Sequence, residues 1–194
     1  METVEWKVSD ILESKKYGLT VSGNPKIIDS SYGKAVNFNG VDDAIFLDTN
    51  PIERLSQFTI EAIFHPDFGG KFEQRFLHFG HIQEDRLLFE SRTEENQWYF
   101  DAFIAIGESS QVLIDEQKKH PVDNWYHTAF VIDNGNLSSY VNGVKELTGN
   151  VELTPMKGGK TSIGVRQNKI SWYKGSIYSI RITPRALSAE DFTK

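Results

Sequence analysis

Phe58-Thr59-Ile60-Glu61-Ala62-Ile63-Phe64-His65 is the stretch that decides the fold class. Every second residue, beginning with Phe58, is apolar, whereas the positions between them are mixed and include Thr59 and Glu61. Successive side chains of a β-strand point to opposite faces of its sheet, so a period of two gathers the first set on one face. The stretch is therefore predicted to be a strand with one face against an apolar core.

The same period of two recurs along the chain. Val36 and Phe38 alternate with Asn37 and Asn39, and Trp98–Ile106 carries a large apolar or small residue at every second position. We predict strands near residues 4–8, 19–28, 34–39, 44–48, 57–65, 75–82, 86–92, 98–106, 111–115, 125–133, 137–142, 161–166 and 175–183. This number of strands is too high for one sheet, so two stacked antiparallel sheets are expected.

Turn signals separate the predicted strands. Asn134-Gly135 and Asn142-Gly143 suit turns whose residues have positive φ, so residues 125–150 are predicted to form a β-meander. Helix is expected to be scarce. Pro51-Ile52-Glu53-Arg54-Leu55 is predicted to form a turn, and Ser188 is predicted to cap a short helical turn near the C-terminus.

Length and composition restrict the class of protein. The chain of 194 residues has no internal repeat, low-complexity tract or linker, so residues 1–194 are expected to form a single domain. The formal net charge is −6 and no block is rich in Lys or Arg, so nucleic acid is not expected as a partner. The absence of Cys excludes disulfides and thiolate metal sites.

No stretch approaches the roughly 18 apolar residues of a membrane-spanning helix, so no membrane span is predicted. The N-terminus also lacks the apolar region of a signal peptide. If the protein is secreted, the sequence is expected to be a processed or truncated form.

Six short motifs follow one another in a fixed order. They are Gly33-Lys34-Ala35-Val36-Asn37-Phe38-Asn39-Gly40-Val41-Asp42-Asp43, Phe58-Thr59-Ile60-Glu61-Ala62, Asn124-Trp125-Tyr126-His127-Thr128-Ala129, Tyr140-Val141-Asn142-Gly143, Lys174-Gly175-Ser176-Ile177 and Arg185-Ala186-Leu187-Ser188-Ala189-Glu190. Together, over nearly the whole chain, they resemble the laminin G-like branch of the concanavalin A-like lectin/glucanase superfamily.

The resemblance implies an all-β fold, a two-sheet antiparallel jelly-roll sandwich in which early and late strands pair. It also implies that Trp125 is buried between the sheets and that Glu61 and His127 are structural. It leaves the function open, because this fold occurs in lectins, adhesion modules, glycosidases and lyases.

The candidate ligand-binding residues occupy the polar register of predicted strands or lie in the segments beside them. They are Glu90, Arg92, Tyr99, Asp101, Arg166 and Trp172. If these registers line one concave sheet, they form a groove in which aromatic rings stack on sugars while Asp and Arg hold hydroxyls or a uronate. The alternative is an ordinary solvated sheet face.

The pair Asp42-Asp43 is the candidate metal site. It follows Asn39-Gly40 and offers hard oxygen ligands beside a turn, which suits Ca²⁺. Many members of the family resembled here place Asp-Glu after the late Gly-x-Ile motif, but this chain has Tyr178 and Ser179 there, which weakens the case. The alternative is that Asp42 and Asp43 cap a turn.

No catalytic residues are predicted. The chain lacks a run resembling the Glu-x-Asp-x-x-Glu strand of the superfamily's glucanases, and the composite lyase motifs known on this fold are absent. We therefore predict a non-catalytic, lectin-like domain that is secreted, periplasmic or on the cell surface and binds carbohydrate or a glycoconjugate. Two alternatives stay open: a polysaccharide lyase or glycosidase that uses the same groove, and a protein–protein adhesion module.

Overall fold

Strands dominate the structure, a computed structural model that describes residues 2–14 and 16–193. Strand accounts for 54% of the residues and helix for 5%, which confirms the all-β prediction. The strands are β1 (Val4–Lys7), β2 (Thr20–Ser22), β3 (Lys26–Ser30), β4 (Gly33–Asn39), β5 (Ala44–Leu47), β6 (Gln57–Pro66), β7 (Glu73–Gly80), β8 (Arg86–Glu94), β9 (Gln97–Ile106), β10 (Ser109–Ile114), β11 (His120–Pro121), β12 (Tyr126–Asp133), β13 (Asn136–Val141), β14 (Val144–Asn150), β15 (Lys160–Ile163) and β16 (Lys174–Thr183). The helical segments are α1 (Val8–Ser14) and a 3-10 turn (Ala189–Asp191).

The strands form two antiparallel sheets that pack as a sandwich, as predicted. The first sheet has the order β14-β13-β12-β6-β16-β4-β3, and β1 also pairs with β16. The second sheet has the order β10-β9-β8-β7-β15-β5-β2, and β11 also pairs with β9. Each sheet therefore has an inner face against the core and an outer face that points away from it.

Aromatic side chains fill the space between the two sheets. Phe64 from the first sheet stacks on Phe76 from the second, with ring centroids 4.4 Å apart. Trp98 meets Phe64 edge-on at 5.0 Å and is fully buried, as its position in the strand pattern predicted. Aromatic pairs of this kind add to the free energy gained from burial of their apolar surface.

The two ends of the described chain lie on the first sheet. β1 pairs with β16 in a register that sets Val4 opposite Ile182, so early and late strands meet as predicted. The segment 184–193, here called the C-terminal segment, crosses the outer face of this sheet. Its Leu187 and Phe192 pack in one apolar cluster with Ala129 and neighbouring side chains.

Turn chemistry was predicted correctly in the hairpins that follow β12. Asn134 and Gly135 both have positive φ, as do Asn142 and Gly143. The first pair joins β12 to β13 and the second joins β13 to β14, so the predicted meander is present. β14 itself has little apolar alternation and was not predicted.

Three local predictions were wrong or incomplete. Residue 8 begins helix α1 instead of ending a strand, and a break after Ser22 divides the strand predicted at 19–28 into β2 and β3. The turn at 189–191 is present, but the Ser188 side chain makes no capping bond to the backbone and instead donates to Asp191 at 3.0 Å. Short elements depend on contacts distant in sequence, which a local pattern does not contain.

The prediction that Trp125 is buried between the sheets was also wrong. Trp125 shares its register with Ala129, but that register lies on the outer face of the first sheet. The core position belongs to Tyr126, which joins the main cluster with Phe130, and Trp125 remains partly exposed. The alternation was read correctly, and the assignment of its two faces was reversed.

Candidate functional site

The outer face of the second sheet carries a concentrated set of charges. On β8 and β9, Glu90 stands directly opposite Asp101, and on β7 Arg75 stands opposite Glu90. The neighbouring residues Phe89 and Phe100 point the other way into the core. Because strand side chains alternate, burial of these aromatic residues requires that the charged ones face outward.

These charged residues line a depression of about 290 Å³. The lining residues, here called the arginine depression, are Arg75, Arg86, Leu88, Glu90, Arg92, Asp101, Phe103, Val112 and Arg166. Four of the six candidate ligand-binding residues lie here: Glu90, Arg92, Asp101 and Arg166. The structure thus brings residues from β8, β9 and the segment after β15 to one place.

The carboxylates of the depression lie beneath its arginines and orient them. Arg92 donates to Asp101 Oδ2 through Nε at 2.9 Å and Nη2 at 2.7 Å, in a fork that fixes the guanidinium plane. Arg75 Nε lies 3.1 Å from Glu90 Oε1. Glu73 links the two arginines from the rim, with one oxygen on each.

Two other arginines are held by backbone carbonyl oxygens. Arg86 donates to the carbonyl oxygens of Gln83 and Glu84, and Arg166 Nη2 donates to the carbonyl oxygen of Ile82 at 2.8 Å. Within residues 2–14 and 16–193, the ion pairs of the depression involve Arg75 and Arg92 but neither of these two. Carbonyl oxygens position a guanidinium without neutralising it, so both groups can attract an anion.

The ionisation of the depression favours a net positive charge. Partial burial opposes ionisation of Glu73, but the hydrogen bond from Ser171 and the charge of Arg75 outweigh it and lower its pKa to about 2. Burial, reinforced by the Asp101 carboxylate, raises the pKa of Glu90 to about 7. Four arginines therefore face three carboxylates at high pH and only two charged ones once Glu90 takes up a proton.

Buried polar atoms without a hydrogen bond are concentrated in the depression. Among the described residues, five such atoms belong to its lining: Arg75 Nε, Arg86 Nε, Arg166 Nε, Glu90 Oε2 and Asp101 Oδ1. Arg75 Nε is nevertheless in an ion pair with Glu90 Oε1 at 3.1 Å. An unpaired buried polar group costs free energy, and charged groups cost more than neutral ones. The Nε donors of Arg86 and Arg166 have no such partner, so they are suited to an acceptor that carries negative charge.

The arrangement is suited to binding more than to acid–base catalysis. Glu90 and Asp101 face each other across two strands, as the carboxylates of a catalytic pair do, but they are only 3% and 1% exposed. Arg75 and Arg92 hold them from the solvent side. A substrate atom would meet the guanidinium groups before it reached either carboxylate.

The two candidate aromatic residues do not line the depression. Tyr99 lies opposite Arg92 on the same sheet face, but it is 5% exposed and has little surface left for stacking on a sugar. Trp172 is partly exposed and follows Ser171, whose hydroxyl contacts both Arg75 and Glu73. Both residues are neighbours of the site.

Sequence reasoning missed Arg86 and Arg75 as members of the site. Arg86 could have been found, because it stands in the same alternating register as Glu90 and Arg92 along β8. Arg75 could not, because the register of β7 shifts between Arg75 and Leu77 and interrupts the alternation. A bulge of this kind re-aims a side chain and leaves no simple mark in the sequence.

Asp42 and Asp43 organise a turn. Asp43 Oδ1 accepts from the backbone N–H of Asn24 at 2.6 Å, and its Oδ2 accepts from that of Asn39 at 3.1 Å. Asp42 Oδ1 accepts from Asn39 Nδ2 at 2.7 Å. These bonds correspond to the turn-capping alternative, and calcium binding by the two carboxylates stays a prediction.

Two further findings concern the described residues as a set. No group of three or more His, Cys, Asp or Glu side chains within 2–14 and 16–193 is arranged to hold a metal ion. In the same part of the chain, no helix has the length and apolar character needed to cross a membrane.

Comparison with protein families gives one match over most of the chain. The third laminin G family model, described as concanavalin A-like lectin/glucanases superfamily, matches residues 39–192. A comparison with curated proteins gives no significant match.

Several solved structures share the fold. Domain 4 of AbnA, a GH43 extracellular arabinanase from Geobacillus stearothermophilus, was solved in complex with arabinotriose; it has a TM-score of 0.70 at 20% identity, over 89% of this chain and 84% of that chain. The binding domain of botulinum neurotoxin serotype D has a TM-score of 0.66 at 14% identity, over 89% of this chain and 44% of that chain. That of botulinum neurotoxin DC, in complex with SialylT, has a TM-score of 0.62 at 14% identity and the same coverage. This chain therefore spans less than half of the toxin domains, and the likeness shows the fold.

Proposed function

Because this chain belongs to the laminin G-like families of the concanavalin A-like lectin/glucanase superfamily, we propose that it is a non-catalytic binding domain for acidic glycans. We place its ligand site in the arginine depression. The ligand class is a saccharide that carries carboxylate or sulfate groups, such as a uronic acid or a sialic acid. We further propose that the domain acts outside the cell, where such polymers are found.

The observation that carries this proposal is the set of four arginines around one depression. Within the described residues Arg86 and Arg166 form no ion pair, and the buried Nε atom of each lacks an acceptor. Guanidinium groups match planar carboxylates and sulfates with two parallel hydrogen bonds. A ligand anion would satisfy donors that the described residues leave unpaired.

The apolar part of the lining supports a sugar in preference to a free anion. Leu88, Phe103 and Val112 lie among the arginines, so a ligand held by its charge would also contact carbon surface. A sugar ring offers C–H groups for this contact, whereas inorganic phosphate does not. The volume of about 290 Å³ is near the lower end for small-molecule sites and suits one acidic sugar residue with its neighbours outside.

The structural neighbours support carbohydrate as the ligand class. Domain 4 of AbnA was solved with arabinotriose bound, so a domain of the same fold holds a trisaccharide. That ligand is neutral, and the acidic character proposed for this chain rests on its own arginines.

The test is binding of acidic oligosaccharides to matched variants. Oligogalacturonate, sialyllactose and a heparin-derived tetrasaccharide are titrated against the wild-type chain, Arg86→Gln and Arg166→Gln by isothermal calorimetry. We expect at least one ligand to bind and each substitution to weaken it tenfold or more, because each removes an uncompensated charge at the site.

Arg185→Gln is the control, because Arg185 is exposed and lies in the C-terminal segment away from the depression. It changes the net charge of the protein by the same amount and is expected to leave affinity unchanged. Binding by none of the three ligands would refute the proposal, as would equal losses in the control and the site variants.

A further inference from the structure

The outer face of the first sheet is divided into a covered and an open half. The C-terminal segment covers the half around Glu61 and Ala129, where the backbone N–H of Thr193 donates to Glu61 Oε1 at 2.6 Å. The open half lies toward the other end of the same strands. There, β4, β16 and β6 present Asn37, Ser176 and His65 side by side in register.

Three aromatic side chains meet on the open half. Tyr32, from the turn between β3 and β4, is 43% exposed and contacts Trp125 at 5.6 Å and Tyr178 of β16 at 5.5 Å between ring centroids. Trp125 also contacts the ring of His65 at 5.3 Å. The rings come from three separate parts of the chain, so their meeting is a product of the fold.

A hydrogen-bonded row of polar side chains borders the rings. His65 Nδ1 lies 2.8 Å from Asp67 Oδ1, and Asp67 Oδ2 accepts from Asn37 Nδ2 at 3.2 Å. Asn37 Nδ2 also lies 3.0 Å from Ser176 Oγ. Each group is held by its neighbour, so a ligand would find donors and acceptors already in position.

We propose that Tyr32, Trp125 and Tyr178, together with the row His65, Asp67 and Asn37, form a second carbohydrate site, one for neutral sugars. This set is called the aromatic patch. It is distinct from the arginine depression, because it lies on the outer face of the opposite sheet and shares no residue with it.

The chemistry of the patch selects a neutral sugar over other occupants. It contains no arginine, and its carboxylate Asp67 would repel an acidic glycan. The nearby Lys7 ammonium, 4.1 Å from the Tyr178 ring centroid, is paired with Glu5 Oε1 at 3.0 Å. The rings lie beside a row of polar groups, whereas the centre of a stable protein interface is more uniformly apolar. One exposed ring, Tyr32, and two partly exposed rings beside fixed hydroxyl-binding groups match the C–H faces and hydroxyls of a sugar.

The test uses four neutral trisaccharides: xylotriose, cellotriose, mannotriose and maltotriose. Saturation-transfer NMR identifies those that bind, and calorimetry measures their affinity for the wild-type chain, Trp125→Ala and Tyr32→Ala. We expect at least one to bind with millimolar or tighter affinity. Each substitution should weaken it about tenfold or more, and Trp125→Phe should recover part of the loss because it restores an aromatic face.

Tyr17→Ala is the matched control, because Tyr17 is 44% exposed, nearly the same as Tyr32, but contacts Trp6 instead of the patch. Far-UV circular dichroism and melting curves check that each variant is folded. The inference is overturned if none of the four sugars binds, if binding survives Trp125→Ala, or if Tyr17→Ala weakens it equally. Self-association that Trp125→Ala abolishes, without sugar binding, would show a protein interface instead.

This test is independent of the one for acidic glycans. Arg86→Gln and Arg166→Gln should leave neutral-sugar binding unchanged, and Trp125→Ala should leave binding of acidic glycans unchanged. A chain that fails one test can still pass the other, so the two proposals stand or fall separately.

Discussion

Glu90 is the residue that sets the charge of the arginine depression. Its carboxyl is buried beside Asp101, and both features favour the protonated form, whereas Arg75 and Arg92 favour the charged one. Burial and the neighbouring carboxylate prevail, and its pKa rises to about 7. The proton on Glu90 therefore changes within the physiological range of pH, and the field that a ligand meets changes with it.

The affinity for an acidic glycan should fall as the pH rises through about 7. Below this pH Glu90 is neutral, so it does not compete with the ligand for the arginines. Above this pH the Glu90 carboxylate pairs with the arginines and repels the ligand anion. We expect a decrease of about threefold to tenfold between pH 6 and pH 8, measured by calorimetry.

Glu90→Gln should keep the affinity nearly constant over the same interval, since the amide does not ionise.

The raised pKa of Glu90 also affects the stability of the fold in a defined direction. A carboxyl whose folded pKa is raised contributes stability that is present at low pH and is lost between its unfolded pKa near 4.5 and about 7. A wild-type affinity for the acidic glycan that did not change between pH 6 and pH 8 would contradict the role given to Glu90.

Trp125→Ala should change the stability of the fold little. The side chain is partly exposed on the outer face of the first sheet, so its loss leaves no core cavity, and we expect a cost of about 1 kcal/mol or less. Trp98→Ala should cost about 3–5 kcal/mol, since Trp98 is fully buried. Urea unfolding of both variants provides the comparison, and similar losses would place Trp125 in the core after all.

Single residues show where sequence reasoning reached its limit. Alternation along β8 and β9 correctly separated Glu90 and Asp101 from the core residues beside them. It could not tell whether an outward register is open or covered, as at Tyr99, which is 5% exposed, or which register faces the core, as at Trp125. The exposure of a sheet face depends on which other segments of the chain cover it, and this is a property of the whole fold.

At the level of elements, the prediction succeeded where a strand carries a long alternating pattern or ends in a turn with Asn-Gly. β6, β9 and the meander from β12 were predicted for these reasons. It failed for α1, which is seven residues long, and for β14, where the pattern is weak. Short or polar elements are stabilised by the neighbours they pair with, so their own residues say little.

The C-terminal segment should stabilise the sheet that it covers. Phe192 packs edge-on against Tyr140 at 5.0 Å and lies 5.5 Å from the ring of His127. Phe192→Ala should cost about 2 kcal/mol and speed hydrogen exchange of the amides in β12 and β13, because it loosens the segment. Ser188→Ala is the control, because Ser188 is exposed in the same segment.

Hydrogen exchange measured by mass spectrometry would resolve the effect by strand. Faster exchange confined to the first sheet would support a clamp by the C-terminal segment. Unchanged exchange rates in β12 and β13 would mean that the segment does not stabilise the sheet that it covers.

At the level of the whole molecule, the charge of one surface differs in sign from the net charge of the chain. The chain carries a formal net charge of −6, yet the outer face of the second sheet presents a depression in which arginines outnumber carboxylates. Overall composition led to the expectation that nucleic acid is not a partner, but it gave no sign of this local field. The two-sheet architecture could be predicted from the sequence, whereas the place of Arg75 in the depression depends on the irregular register of β7 and required the fold.

The two proposed sites should bind their ligands independently. They lie on opposite outer faces of the sandwich, with the packed core between them, and a short oligosaccharide cannot span both. Close packing makes such a core resistant to small displacements. Saturation with an acidic oligosaccharide should therefore change the affinity for a neutral trisaccharide by less than about twofold, and the reverse titration should agree, as linkage requires. Competition between the two ligands would instead place them at one site, and the assignment of separate faces would be wrong.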